Sequence, residues 1–172
     1  AETFQDNETV LTHDFSSTVL DAMTTATEAG VELEAYVTEA RPRYLGRKTA
    51  RQLAGTDGVS PHLIVDGAAA SFLQECDRVV VGMSCIVEDT LYNRVGTFPI
   101  AATAAQVGVP VTVVGSAAKI IDEGFAFQTE ERPPSEVMLE PVEGIEIDNP
   151  AYDATPTDLI DEVITDQDIV NY

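Results

Sequence analysis

Short runs of β-branched and aliphatic residues alternate along this chain with longer segments of helical character. The predicted strands span residues 10–12, 33–38, 62–65, 78–86, 109–114 and 145–147. The predicted helices span residues 16–29, 47–54, 68–75, 96–107 and 157–164. Because the strands are almost entirely apolar, helices must cover both faces of their sheet, which is typical of parallel sheets. The alternation therefore predicts a doubly wound α/β fold with a mainly parallel sheet of about six strands and helices on both faces.

The length and hydrophobicity of the chain bound its organisation. Its 172 residues fit one domain, since domains typically contain about 100–200 residues. No apolar run approaches the ~20 residues needed to span a bilayer, and residues 1–7 lack the basic start of a signal peptide. We therefore expect a single domain over residues 1–172, located in the cytoplasm and not bound to a membrane.

The chain is strongly acidic. Thirty Asp and Glu residues against nine Lys and Arg residues give a formal net charge of -21. The acidic residues are spread over the whole chain, which favours a halophilic protein kept soluble in strong salt over an acidic partner-binding tail. So few cations cannot form a broad basic surface, and we therefore expect no direct binding to nucleic acid.

Five of the nine cations are nevertheless concentrated between positions 41 and 51: Arg41, Arg43, Arg47, Lys48 and Arg51. The cluster follows the predicted strand at 33–38 and leads into the next predicted helix, an arrangement that commonly binds phosphate at the carboxyl edge of a parallel sheet. The alternative is that Arg47 and Arg51, four residues apart, line a solvated helix face.

The sequence contains no signature of a metal or cofactor site. Cys76 and Cys85 lack zinc-ligand spacing and are expected to be reduced and structural, while His13 and His62 are far apart in sequence. No G-x-G-x-x-G motif follows any predicted strand, so the dinucleotide fingerprint is absent. We therefore expect no cofactor and no metal.

Five segments in order carry a resemblance to a known family: VLTHDFSSTVLDA, YVTEARPRYLGRKTARQLA, LIVDGAAASFL, VVVGMSCIVEDTLYNRVGTFPIAATAAQVGVPV and NPAYDATPTDLIDEVIT. Together they resemble the C-terminal domain of the translation initiation factor 2B alpha/beta/delta family, which includes ribose-1,5-bisphosphate isomerase and methylthioribose-1-phosphate isomerase. The resemblance implies a Rossmann-like domain, with the family's helical N-terminal domain absent from this chain. It also implies partners, either a homodimer or related initiation-factor-2B-like subunits.

The resemblance implies a ligand-binding site built from two motifs. The family's T-E-x-R-P stretch and its following G-R match residues 38–42 and 46–47, and its N-K-x-G-T motif matches residues 93–97 with arginine in place of lysine. The implied ligand-binding residues are Arg41, Gly46, Arg47, Asn93, Arg94, Gly96, Thr97 and Lys119. We expect the cations Arg41, Arg47, Arg94 and Lys119 to converge at the carboxyl edge of the sheet.

One departure from the family concerns catalysis. The resemblance places Ser84 at the position, after the fourth strand, where the family's isomerases carry a proton-transferring aspartate. It also implies that Cys85 does not correspond to their catalytic cysteine, because the two occupy different motif positions. A serine hydroxyl is a poor general acid or base because its pKa lies far from the working pH. No catalytic residue is therefore predicted.

Three functions remain open from the sequence. The favoured one is a non-catalytic regulatory domain that binds a phosphorylated small molecule, such as a sugar phosphate or nucleotide, or partner subunits. The alternatives are a sugar-phosphate aldose–ketose isomerase and a domain with a vestigial pocket that functions only through oligomeric packing. For single residues, a hydrogen-bonded structural role is favoured for His13, whereas Asp66 is either a helix cap or a ligand contact.

Overall fold

The computed structural model describes residues 3–121 and 124–172. Within these residues the strands are β1 (Glu8–His13), β2 (Leu33–Thr38), β3 (Val59–Ile64), β4 (Arg78–Gly82), β5 (Cys85–Val87), β6 (Thr90–Arg94), β7 (Val111–Val114), β8 (Ile120–Ile121), β9 (Tyr152–Pro156), β10 (Glu162–Ile164) and β11 (Ile169–Asn171). The α-helices are α1 (Ser17–Glu28), α2 (Gly46–Leu53), α3 (Ala69–Phe72) and α4 (Thr97–Val107). None of the helices in these ranges is long and apolar enough to cross a membrane.

Seven strands form the main sheet, in the order β11-β10-β7-β4-β1-β2-β3. Neighbouring strands are parallel except for the antiparallel pair of β10 and β11. The chain proceeds outward from β1 through β2 to β3, and then from β4 through β7 to β10 on the other side. The strand order thus reverses between β1 and β4, and doubly wound sheets bind ligands at the carboxyl ends of the strands beside such a reversal.

Hydrophobic clusters cover both faces of the main sheet. On one face Met23 of α1 and Leu53 of α2 are fully buried against β1 and β2. On the other face Leu73, directly after α3, and Ala104 of α4 are fully buried against strands that include β1, β4 and β7. The predicted doubly wound α/β fold with helices on both faces is therefore confirmed, with seven strands in the main sheet rather than about six.

A smaller sheet of four strands, in the order β8-β5-β6-β9, extends from the carboxyl end of β4. Its β5–β6 hairpin begins soon after β4, and β6 leads into α4. Antiparallel pairing of β6 with β9 places Asn93 opposite Asp153 and Arg94 opposite Tyr152. The single strand predicted at 78–86 is therefore divided between two sheets, and the second sheet positions residues of two sequence motifs side by side.

Two elements predicted near the C-terminus are wrong. Residues 145–147 form no strand, and Ile145 is 54% exposed. The helix predicted at 157–164 is instead a 3-10 turn at Thr157–Leu159 followed by β10. Val163 in β10 is fully buried beside β7, so pairing with a parallel neighbour prevails over the helical spacing of the apolar residues.

Candidate functional site

Four arginines surround a small cavity at the carboxyl edge of the main sheet. Arg41 and Arg43 follow β2, Arg94 ends β6, and Arg132 comes from the irregular segment after β8; Asp14 supplies a carboxylate to the same wall. We call this cavity and its four arginines the arginine cleft. Its volume is about 20 Å³, enough for roughly one water molecule. The cleft therefore concentrates positive charge around a very small space.

A much larger cavity lies at the opposite, amino edge of the sheet. Its volume is about 1560 Å³, and Glu8, Arg78 and Glu162 are among the residues that line it. Arg78 already pairs there with both glutamates, at 3.2 Å from Nη1 to Glu162 Oε1 and through a shorter contact with Glu8. Because this arginine is neutralised and the surrounding wall is acidic, the amino edge is a poor place for an anionic ligand.

The turn after β2 holds Arg41 in a defined backbone conformation. Ala40 and Tyr44 adopt left-handed φ angles of 59° and 58°, and the Arg41–Pro42 peptide bond is cis. The two carboxylate oxygens of Asp66 accept hydrogen bonds from the backbone N–H groups of Ala40 and Arg41, both at 2.7 Å. Asp66 does not cap the helical turn that it begins. Its role in this structure is to organise the turn that presents Arg41.

Gly46 and Arg47 shape this region without lining the cleft. Gly46 is buried, and a Cβ atom there would lie 1.8 Å from the carbonyl oxygen of Thr38. Glycine is thus required because α2 approaches the end of β2 so closely. Arg47 donates from Nε and Nη2 to Glu39 Oε2, at 3.2 and 2.7 Å, and its guanidinium lies 4.0 Å from the ring centre of Tyr44. Arg47 is therefore paired away from the other predicted cations.

The turn between β6 and α4 presents Arg94. Asn93 and Thr97 are buried, with Asn93 Nδ2 donating to Thr97 Oγ1 at 3.1 Å and Thr97 Oγ1 donating to the carbonyl of Arg94 at 2.7 Å. Gly96 has a φ of 108°, and a Cβ atom there would lie 2.6 Å from the ring of His13. Three of the predicted ligand-binding residues thus act on the turn in this structure, while Arg94 itself reaches the cleft.

Lys119 and Ser84 lie at the carboxyl end of β4, outside the lining of the arginine cleft. Lys119 Nζ donates to the carbonyl of Met83 at 2.9 Å, and the backbone N–H of Ser84 donates to the carbonyl of Tyr92 at 3.1 Å. Burial raises the pKa of the neighbouring Cys85 thiol, which keeps it in the unreactive neutral form. Of the four cations predicted to converge, Arg41 and Arg94 line the cleft, whereas the prediction is wrong for Arg47 and Lys119. Arg43 and Arg132 line the cleft in their place.

His13 is a hydrogen-bonded structural residue, as the sequence analysis favoured. Its Nε2 lies 2.8 Å from the carbonyl oxygen of Val95, and its Nδ1 lies 2.6 Å from Thr38 Oγ1. Since a carbonyl can only accept, Nε2 carries a proton. The ring thereby ties the ends of β1 and β2 to the turn before α4.

The carboxyl groups of buried Asp14 and half-buried Asp153 flank this turn, and neither was predicted as a functional residue from the sequence. Asp14 Oδ2 lies 3.5 Å from Arg94 Nε, and Asp153 Oδ2 accepts from the backbone N–H groups of Gly96 and Phe98 at 2.7 and 3.0 Å. The second oxygen of each carboxyl is buried without a donor among the described residues. Burial raises the pKa of Asp14 and of Asp153 above the ordinary 3.8. Buried, perturbed carboxyls in a cleft are candidates for proton transfer, and the position of Asp14 just after β1 was the available signal.

Comparisons with known proteins agree on one family. A sequence model described as the initiation factor 2 subunit family (IF-2B) matches residues 1–171. The chain is 36% identical over 182 residues to a ribose 1,5-bisphosphate isomerase from Haloterrigena turkmenica, covering 96% of this chain and 55% of that protein. It is 33% identical over 190 residues to a methylthioribose-1-phosphate isomerase from Syntrophotalea carbinolica, covering 99% of this chain and 55% of that protein.

The fold comparison gives the same picture. The crystal structure of translation initiation factor eIF-2B, subunit delta, from A. fulgidus superposes with a TM-score of 0.90 at 27% identity. The match covers 99% of this chain and 55% of that one. This chain thus spans about half the length of the relatives that it matches, which include both isomerases and an initiation factor subunit.

Proposed function

Because this chain belongs to the initiation factor 2 subunit family, we propose that its arginine cleft binds a phosphorylated small molecule, and that sugar phosphates are the favoured class. The observation that carries the proposal is the gathering of Arg41, Arg43, Arg94 and Arg132 around one cavity in a chain with only nine cations. The cavity lies at the carboxyl edge, where doubly wound sheets bind their ligands.

The charge balance of the cleft favours an anion. Of its lining side chains, four are cationic and only Asp14 is a carboxylate, so a bound phosphate relieves repulsion among the guanidinium groups. Arginine also matches phosphate geometrically, because its planar fork donates two parallel hydrogen bonds. Sugar phosphates are favoured over nucleotides because two relatives are named for isomerising ribose 1,5-bisphosphate and methylthioribose 1-phosphate.

The proposed role is regulatory binding without catalysis, since Ser84 takes the position at which the family resemblance implies a proton-transferring aspartate. In this role the domain communicates ligand binding to a second copy or to related subunits. The solved relative that is an initiation factor subunit supports this role.

Calorimetric titration tests the binding proposal. Ribose 1,5-bisphosphate, methylthioribose 1-phosphate and AMP are titrated at one fixed salt concentration into the wild type and into Arg94→Gln and Arg51→Gln. Arg94 lines the cleft, whereas Arg51 is an exposed cation of α2 outside it. We expect a sugar phosphate to bind, Arg94→Gln to weaken binding by about tenfold or more, and Arg51→Gln to change it little. Equal losses in both variants, or no binding by the wild type, contradict the proposal.

A second candidate function is aldose–ketose isomerisation. The comparisons support it better than the regulatory role, because relatives 33–39% identical to this chain are named ribose 1,5-bisphosphate isomerase, and Asp14 is the structural observation that favours it. Such a reaction moves one proton between neighbouring sugar carbons while the hydroxyl proton on one of them passes to the carbonyl oxygen of the other. A carboxylate can take the proton from the first carbon and return it to the second. The carboxyl group of Asp14 is buried, has a raised pKa and faces Arg94 in the cleft. Turnover of either sugar phosphate by the wild type, reduced about 100- to 10,000-fold in Asp14→Asn, would establish the enzyme. Tight binding without turnover would establish the regulatory role.

A further inference from the structure

One carboxylate of the chain itself already lies against the arginine cleft. Glu136 Oε1 is 3.8 Å from Arg43 Nε, and Glu136 Oε2 is 3.4 Å from Arg132 Nε. The side-chain amide of Asn149 donates to the same Oε2 at 3.2 Å. Two arginines and an amide donor are the groups that would surround a phosphate. Glu136 therefore occupies an anion position formed by Arg43, Arg132 and Asn149.

Glu136 belongs to a short segment, residues 131–137, which we call the latch. Its first part is fastened to the chain ahead of β9, because the backbone N–H of Arg132 donates to the carbonyl of Asn149 at 2.9 Å and Glu131 forms an isolated bridge with Pro150. At its other end Arg41 Nη2 donates to the carbonyl of Val137 at 2.9 Å. The latch thus has a fixed end, and a second end that rests on the arginines through Glu136 and Val137.

The size of the cleft shows what this arrangement does. A cavity of about 20 Å³ is far below the roughly 300–1,000 Å³ of ordinary small-molecule sites. A sugar phosphate can therefore enter only after part of the wall has moved. The end of the latch does not line the cavity itself, but it holds two arginines that do, because the carbonyl of Val137 accepts from Arg41 and the carboxylate of Glu136 pairs with Arg43. Opening the cleft and freeing its arginines are then one event.

We propose that Glu136 is an internal anion that closes the arginine cleft, and that the phosphate group of the ligand displaces it from Arg43 and Arg132. The proposal rests on the proposed function, since it assumes that the cleft binds a phosphorylated ligand. It adds an anion subsite formed by Arg43, Arg132 and Asn149. Phosphate can bind there only by breaking the contacts that Glu136 makes with the same groups. The affinity of the cleft for phosphate is accordingly set by competition with a carboxylate of the same chain.

The test compares Glu136→Gln with Glu130→Gln. Glu130 Oε1 lies 2.9 Å from Arg132 Nη1, so the control removes the same charge from beside the same arginine without vacating the subsite. Inorganic phosphate is titrated into the wild type and both variants at one salt concentration. We expect Glu136→Gln to bind phosphate about fivefold more tightly, and Glu130→Gln to change affinity less than about twofold, as exposed ion pairs usually do.

A second measurement needs no ligand. Hydrogen exchange at the backbone N–H of Val137, which donates to the carbonyl of Pro134 at 3.0 Å, reports opening of the latch. We expect faster exchange in Glu136→Gln than in Glu130→Gln, and faster exchange in the wild type when phosphate is added. Unchanged exchange, or equal gains in affinity in both variants, overturns the latch while leaving the proposed function intact. Failure of all three proteins to bind phosphate overturns displacement of Glu136, whereas the sugar-phosphate titration described above decides the proposed function separately.

Discussion

Arg78 and Arg94 lie at opposite edges of the main sheet. Replacing Arg78 by methionine should lower the stability of the fold strongly, whereas replacing Arg94 should lower it little. Arg78 is 9% exposed at the start of β4 and pairs with Glu8 of β1 and Glu162 of β10. Its Nη1 also lies 3.4 Å from Thr112 Oγ1 of β7. One guanidinium therefore connects four parallel strands at their amino ends, a role that no local sequence pattern predicts.

The magnitude follows from what Arg78→Met leaves behind. Glu8 is 7% exposed, and breaking a buried ion pair by removing one partner typically costs about 3–5 kcal/mol. The backbone N–H of Gln5 still donates to Glu8 Oε2 at 2.8 Å, so the lower end, about 3 kcal/mol, is expected. At about 2–4 °C per kcal/mol for a chain of this size, the melting temperature should fall by roughly 6–12 °C.

Arg94→Met should behave differently. The Arg94 side chain is 31% exposed and forms one ion pair within residues 3–121 and 124–172, at 3.5 Å, so the cost should be no more than about 1 kcal/mol. Thermal and urea unfolding at fixed potassium chloride measure both variants, and adding Glu8→Gln to Arg78→Met should recover part of the loss. Similar melting temperatures for Arg78→Met and Arg94→Met would refute the reasoning, because burial of the unpaired carboxylate would then not govern stability.

Three further predictions concern the fold and its charges. Gly46→Ala should destabilise the protein by at least about 2 kcal/mol in urea unfolding, because the new Cβ meets the backbone of Thr38 at 1.8 Å. The melting temperature should rise from low to molar potassium chloride, since screening shortens from ~10 Å at 0.1 M to ~3 Å at 1 M and weakens the repulsion of a chain with net charge -21; a flat curve would remove the halophilic interpretation. Burial raises the pKa of Asp14 above 3.8 in the folded state, so its contribution to stability is largest below pH 3.8 and declines as the pH rises to the folded pKa. Asp14→Asn, which keeps a residue tolerant of the left-handed φ of 61°, should therefore gain stability relative to the wild type between pH 4 and 7, and a constant difference across that range would contradict this.

Local sequence signals predicted the first half of the fold well. β2 covers the predicted residues 33–38, and α1 begins after Ser16, whose Oγ accepts from the N–H of Val19 at 3.3 Å as an N-cap does. These elements have strong patterns and nearby start signals. By contrast, β10 was predicted as a helix because Pro156 and Thr157 imitate a helix start, and only its pairing with β7 shows that the segment is a strand.

The candidate site was predicted in part for the same reason. Arg41 and Arg94 were found because they end recognisable motifs just after strands. Arg132 and Glu136 lie in a segment without periodic pattern, and their positions depend on contacts such as that between Arg41 and Val137, which are 96 residues apart in sequence. No local sequence pattern predicts a contact between residues so far apart, so the positions of Arg132 and Glu136 beside the cleft are known only from the tertiary structure.

The scarcity of cations in this chain makes their distribution informative. Arg78 at the amino edge lies between two carboxylates and holds strands together. At the carboxyl edge, four arginines meet around one lining carboxylate, Asp14, although the chain has 30 acidic residues that could have neutralised them. Among the described residues, Glu130 pairs with Arg132 alone, and Glu136, on the latch, is the further carboxylate that reaches two of these arginines. An incompletely neutralised arginine cluster beneath a segment of this kind favours an exchangeable anion over a permanent ion-pair network as the partner of these arginines.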